Sequence, residues 1–430
     1  MGFSAAESEG SRGTSGGALG RPAGRWAMGV ARAASRVSWA GGIYAWASVC
    51  PVGGGSLISE ALAVMETLRK LCAGPDLAMR PVVLHWFLRD AADRELCEAL
   101  VGSADWCRPA VCHFSVQPPL EGAHMAVEAW WVGGGDISVR RVSGWSVETA
   151  HAGLRWLHVA GLEGAEASAP VEQQTRHLFG QLAGELALAD LEVTDLMRTW
   201  IQVPEILGTE GRGSRYLAMN RGRAAAFEGV WPGRGRLSGD ATAIRFPYPA
   251  STGIGAGPGG PVRLAAVALK GADGALERLA LENPRQVPAY RYTAADGWPQ
   301  PLFSRGMAVR GLGGLWVWVS GTASIVGEKV AHPGDVQAQA EETFDNIAAL
   351  LDGENFARHG WPGVSAGLMD MVCARVYVKD AGMGEICRAV CERRLPPCPT
   401  VYVQADICRP ELLVEVEGLV FRRLSGPEGT

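Results

Sequence analysis

Two stretches of the chain, WLHVAG (Trp156 to Gly161) and WVWVSG (Trp316 to Gly321), are strand endings of one pattern, and the segments after them also match. After the first, Ser168 can cap and Pro170 can open a helix over VEQQTRHLFGQLAGELALA. After the second, Asp335 opens VQAQAEETFDNIAALLDG, where Val336, Ala340, Phe344, Ile347 and Leu351 recur at helical spacing and Gly353 ends the run. Each half then gives a strand, RTWIQV (Arg198 to Val203) against RVYVKD (Arg375 to Asp380). A second helix comes next, over Arg215 to Gly229 and over Gly384 to Leu395, and two strands close each half. Such an order predicts an α+β fold of two tandem halves, each a mixed β-sheet with helices packed on one face. The first half is expected over 111–275 and the second over 276–424. Residues 56–110 read as a partly helical N-terminal segment, and 1–55, rich in Gly, Ala, Ser and Arg, as a disordered extension. The apolar run Val37 to Val52 is too short, and too broken by glycine, to span a membrane.

Composition narrows the partner. A formal charge of −5 argues against nucleic-acid binding, which needs a basic surface to displace counterions, and leaves a small molecule as the expected ligand. The ten cysteines include no C-x-x-C pair and no zinc spacing, so they read as free thiols in a reducing cytoplasm. His124 and His332 lack partners at metal spacing, so no metal is expected. The G-x-G-x-x-G match from Gly255 to Gly260 runs into a strand, PVRLAAVAL, rather than a helix, so no dinucleotide cofactor is expected either.

The last strand region, LLVEVEGLVF (Leu412 to Phe421), carries the chemistry. Alternation places Leu413, Glu415, Glu417 and Leu419 on one face and Leu412, Val414 and Val416 on the other. Two readings of the acids are open: a solvated or arginine-paired edge, or an apolar setting that raises the pKa of one acid, helped by repulsion from the other. The matching strand of the first half, VRLAAVAL, has no acid, so one chemical site per chain is expected.

The halves resemble the RidA (YjgF) fold, also called chorismate-mutase-like, whose last strand carries a similar V-E-I-E stretch. More specifically, the chain resembles the chorismatase family in HFSVQPPL (His113 to Leu120), MAVEAW (Met125 to Trp130), RTWIQVPEI (Arg198 to Ile206), RYLAMNRGRAAAF (Arg215 to Phe227), YPASTGIG (Tyr248 to Gly255), ENPRQVPAYRY (Glu282 to Tyr292), SGTASIVGEK (Ser320 to Lys329), GDVQAQAEETFDNI (Gly334 to Ile347) and ADICRPELLVEVEG (Ala405 to Gly418). The resemblance implies removal of the enolpyruvyl group of chorismate as pyruvate, without a cofactor. It makes Glu415 the catalytic glutamate. Cys408, seven residues earlier, and Gly321 favour the branch that leaves 3-hydroxybenzoate; dihydroxycyclohexadienoate, or a mixture with 4-hydroxybenzoate, stays open. Glu328 departs from the pattern, where a histidine is expected.

An enol ether is cleaved by protonating its methylene carbon, so the acid must stay protonated near neutral pH, far above the usual glutamate pKa of about 4.3. Cys408 reads either as a small core hydrophobe or as a thiol filling the place of an attacking water. Chorismate carries two carboxylates, for which Arg223, Arg285 and Arg291 are the expected cations, with Tyr290 and Tyr292 as hydroxyl donors and Arg388 as a further candidate. Gly321 is expected to leave room for the ring. A RidA-like imine deaminase or ligand-binding protein is the competing reading, although TVYVQAD lacks the arginine that reading needs. Monomer and homotrimer are both open.

Overall fold

The computed structural model describes residues 30–52, 54–72, 79–230, 248–293 and 298–424. It has the expected α+β layering, but the repeating unit occurs three times rather than twice. The first unit comprises β1 (Val30–Trp39), β2 (Gly42–Pro51), α1 (Leu57–Cys72), β3 (Arg80–Leu88), α2 (Arg94–Ser103), β4 (Val111–Val116) and β5 (Met125–Gly133). The second comprises β6 (Ser138–Arg141), β7 (Ser146–His151), β8 (Leu154–Glu163), α3 (Val171–Leu188), β9 (Leu196–Pro204), a small ribbon of β10 (Thr209–Glu210) and β11 (Gly213–Ser214), α4 (Arg215–Val230), β12 (Ala250–Ala256) and β13 (Arg263–Gly271). The third comprises β14 (Glu277–Leu281), β15 (Gly306–Gly311), β16 (Gly314–Ala323), a ribbon of β17 (Ile325–Val326) and β18 (Lys329–Val330), α5 (Val336–Leu351), α6 (Gly353–Arg358), β19 (Met371–Val378), α7 (Gly384–Arg394), β20 (Thr400–Gln404) and β21 (Val414–Arg423). The sheets run β1-β2-β5-β3-β4, β12-β9-β13-β8-β7-β6 and β14-β15-β16-β21-β19-β20. Apart from the added edge strands β6 and β14, these are one topology.

The expected extension over 1–55 is therefore corrected: residues 30–51 form a hairpin. Its turn places Ala40 at φ 51° and Gly41 at φ 81°, the two positive values that a two-residue primed turn demands. Along β2, Tyr44 and Trp46 face one core while Ala47 and Val49 face another. The segment 56–110 is the middle of the same unit, and the boundary at 111 cuts its sheet, because β4 and β5 pair with β3.

One face of each sheet is covered by its own helices, as where α5 and α7 lie on Val376, Val414 and Val416. The other faces meet in a common core. Trp39, Trp46 and Trp130 of the first unit pack there with Trp156 and Trp200 of the second and Trp316, Trp318 and Leu419 of the third. Asp335 caps α5 as expected, accepting from the Ala338 N–H at 3.0 Å, whereas that helix ends at Leu351 and Gly353 opens α6. Among the described residues no helix is long and apolar enough to cross a membrane.

Three histidines lie inside, where the first two sheets meet. His113 and His158 are held near pKa 3 and His85 well below its ordinary value, in each case by burial first. A base depressed in the fold takes up its proton in the unfolded chain first. Stability is then fully present above pH 6.5 and declines as pH falls from there toward 3, by about 1.4 kcal/mol per histidine per unit. Denaturant unfolding at neutral pH and two units lower should show this loss, and His158→Phe should reduce it; stability that holds or rises on acidification would contradict the burial of neutral imidazoles.

Candidate active site

β21 lies between β16 and β19, so its two acids are interior: Glu415 is 5% exposed and Glu417 2%. That removes the solvated-edge reading. The strand begins at Val414, and the alternation expected from Leu412 fails there. Leu413 packs toward the helices of its own unit, while Leu412 lines the Glu415 recess.

The two acids have opposite surroundings. Glu417 accepts from Arg198 Nη2 at 2.5 Å, Trp200 Nε1 at 2.7 Å, Tyr377 OH at 3.0 Å, Arg375 Nη1 at 3.2 Å, and from the Thr252 hydroxyl. Arg375 in turn grips Glu128 of the first unit through two bonds of 2.8 and 3.0 Å. Glu417 is thus a fixed buried charge. Glu415 makes no ion pair among the described residues; burial, then repulsion from Glu417, pushes its pKa up to about 8, against the opposing pull of Arg198 and Arg305. A carboxyl in that setting is a proton donor at neutral pH.

The recess is built by two units. From the second come Tyr216, Met219 and Arg223 on α4 and Ser251, Thr252 and Gly253 on β12. From the third come Gly321 and Ala323 on β16, Cys408, Arg409 and Leu412 from the turn before β21, and Tyr292, Phe303 and Arg305 from the long connection between β14 and β15. Gly321 is required here, but for another reason than the one expected. A Cβ at that position would run into the Glu415 carboxyl and press on Thr252 Oγ1, so the space it leaves belongs to the acid itself. The Cys408 thiol is pushed up to about 12 by burial and by Glu415, which keeps it protonated and uncharged.

Of the expected binding residues, Arg223 and Tyr292 reach the recess. Arg223 is buried, bonded to Asn220 Oδ1 at 2.5 Å, with its Nε unpartnered, and burial lowers its pKa to about 10. The others point elsewhere. Arg285 pairs with Glu342 on α5 at 2.8 Å. Tyr290 packs against Tyr248, and Arg291 is exposed beside the Tyr290 ring. Arg388 pairs with Glu121 at 2.6 Å over the Tyr402 ring, in a separate crevice between the third and first units.

Two cations replace them. Arg305 is 4% exposed, donates to Tyr292 OH at 2.5 Å and lies beside the Phe303 ring at 5.1 Å. Arg409 lies over Tyr292 at 5.3 Å and donates to the Glu328 carbonyl at 2.7 Å. Arg409 directly follows Cys408, a signal present in the sequence; nothing local marks Arg305, which stands just before β15 in FSRGM. Glu328, where a histidine is expected, holds the 293 turn by accepting from the Thr293 N–H and hydroxyl at 3.0 and 2.9 Å. Among the described residues no group of three or more His, Cys, Asp or Glu is placed to hold a metal.

No family model matches the chain. It is 36% identical over 245 residues to a 3-hydroxybenzoate synthase of Streptomyces hygroscopicus, a match over 54% of this chain that spans just under two thirds, 65%, of that relative. It is 33% identical over 281 residues to a chorismatase of Streptomyces rapamycinicus, covering 63% of this chain and 78% of that one. A crystal structure of a chorismatase shares the fold, with a TM-score of 0.61 and 24% identity over 81% of this chain and 98% of that chain.

The geometry makes Gly321→Ala the sharpest probe of the recess. The added methyl should drive the Glu415 carboxyl into another rotamer, visible in a crystal structure of the variant; a carboxyl left in place would contradict the packing described.

Proposed function

The chain belongs to the chorismatase family, and on that premise we propose that it cleaves the enolpyruvyl ether of chorismate to pyruvate and 3-hydroxybenzoate. The observation that carries this is Glu415, an acid kept protonated near neutral pH at the end of a recess that also holds Arg223, Arg305 and Arg409. These are the cations that a dicarboxylate needs.

Glu415 gives its proton to the methylene carbon of the enol ether, which creates an oxocarbenium centre on the side chain. The neighbouring ring hydroxyl then attacks the ring carbon that bears the ether. Its oxygen forms the new C–O bond, the bond to the ether oxygen breaks, and pyruvate leaves with that oxygen as its carbonyl. The hydroxyl proton returns to the Glu415 carboxylate, and the resulting epoxide opens to the aromatic ring. Pyruvate and 3-hydroxybenzoate together contain the atoms of chorismate, so no water is consumed. The neutral Cys408 thiol, beside Tyr216 and close to Glu415, fills the place an attacking water would need.

Ten cysteines without a disulfide fit a reducing compartment such as the cytoplasm. Three like units in one chain give each sheet its neighbours internally, which favours a working monomer.

Incubation with chorismate should yield pyruvate and 3-hydroxybenzoate, with no label in the aromatic product when the reaction is run in ¹⁸O-water. Formation of a dihydroxycyclohexadienoate, with the water oxygen delivered to the pyruvate side chain, would move the protein to the hydrolytic branch, and no turnover would remove the reading. Glu415→Gln should lower kcat roughly 10²- to 10⁴-fold. Because the protonated form is the active one, kcat in the wild type should be flat below pH 8 and fall about tenfold per unit above it. A rate that rises with pH across that range would contradict the assignment of Glu415 as acid.

A further inference from the structure

A second buried acid stands behind the recess. Leu281 ends β14 opposite Gly306 at the start of β15, so Glu282 and Arg305 face each other one step beyond the ladder. The Glu282 backbone is pinned on both sides. Its N–H donates to His359 Nε2 at 3.1 Å, and its carbonyl accepts from Asn355 Nδ2 at 3.0 Å. The carboxyl has no such ties. Both oxygens are buried and without a well-formed hydrogen bond among the described residues, although the Arg305 backbone N–H acts on the carboxyl and pulls against burial. No ion pair joins Glu282 to Arg305, whose own Nε is also buried and unpartnered.

Among the described residues, the groups facing Glu282 are few. Arg305 approaches from the residue just before β15, Arg291 and Tyr290 from the turn at 289–291, and His359 from the loop after α6. His359 accepts the Glu282 N–H at Nε2, while its Nδ1 lies 2.8 Å from the Asn355 carbonyl, so both ring nitrogens are engaged by the backbone and not by the Glu282 carboxyl. The balance therefore rests on burial against the two arginines, and burial is the larger effect, pushing the Glu282 pKa up to about 8.

Resting on the reading of the recess as a dicarboxylate site, we propose that Glu282 is a positioning residue for Arg305. As a neutral carboxyl it leaves the guanidinium free for a substrate carboxylate; as a carboxylate it draws that guanidinium away and weakens binding of dianions. An arginine already neutralised by a buried partner offers little to a ligand, so a nearby acid is compatible with the site only while it stays protonated. The device acts on binding, whereas Glu415 acts on the chemical step.

The test separates the two by using protein that binds without turning over. In Glu415→Gln protein, calorimetric Kd for chorismate should weaken roughly tenfold between mildly acidic pH and one unit above 8, the fraction of neutral Glu282 falling to about a tenth. In Glu415→Gln/Glu282→Gln protein the Kd should change less than about twofold over the same range. Glu282→Asp in the same background should restore a pH-dependent Kd. In protein with Glu415 intact, Glu282→Gln should flatten KM against pH while leaving the decline of kcat. Equal weakening with and without Glu282→Gln would overturn the role of Glu282 alone. Absence of chorismate binding at any pH would overturn the substrate reading together with it.

Discussion

The structure depends on a carboxylate other than Glu415. Glu417 is held by two arginines, a tryptophan, a tyrosine and a threonine from two units, and through Arg375 it is tied to Glu128 of a third. Two buried arginines and two buried glutamates balance in formal charge, and removing one member of such a group characteristically costs about 3–5 kcal/mol because its partner is left uncompensated. The network sits where the three sheets meet, with Arg198 and Arg375 lying 5.0 and 4.9 Å from the Trp200 ring. Its effect on Glu415 is indirect. By consuming the nearest cations it leaves Glu415 beside an unyielding negative charge and without a counterion, which keeps the second carboxyl protonated.

Among the described residues, one of the three crevices between units of like topology places an acid without an ion pair at this strand position. Ala323 pairs with Glu415 across β16 and β21, and the corresponding pair in the second unit is Glu163 with Arg263 across β8 and β13. There Arg263 is bonded to Glu163 at 3.0 Å, and Arg94 of the first unit joins the same carboxylate. The crevice between the third and first units has Ala126 in its lining and no acid on that strand position; its charged pair, Arg388 with Glu121, is closed on itself. Repetition supplied three similar crevices, and side-chain chemistry made one of them suited to proton transfer.

How much of the fold and site is legible in the sequence depends on how local each signal is. The helices and strands of the last two units carry strong periodicity, capping residues such as Asp335, and mutual similarity, and they appear where expected. The acidic strand is legible because two carboxylates on an apolar strand conflict with their surroundings. The first unit is not, because β1 and β2 are built largely of alanine, glycine and serine, and their alternation shows only once Tyr44 and Trp46 are seen to face a core shared with distant strands. The cations divide the same way. Arg223 lies on a helix whose direction can be inferred, whereas Arg305 and Glu282 meet by strand pairing across the 283–304 connection, and Arg285, although nearer in sequence to familiar motifs, finds Glu342 instead.

The central claim is that Glu415 carries its proton at neutral pH. Difference infrared spectroscopy of wild-type against Glu415→Gln protein reads that proton directly. The account predicts a protonated-carboxyl C=O band, assigned by its loss in the variant, that persists through neutral pH and disappears with a midpoint of about 8. A Glu415 band already converted to carboxylate at neutral pH, with a midpoint in the ordinary glutamate range of about 4.3, would contradict it.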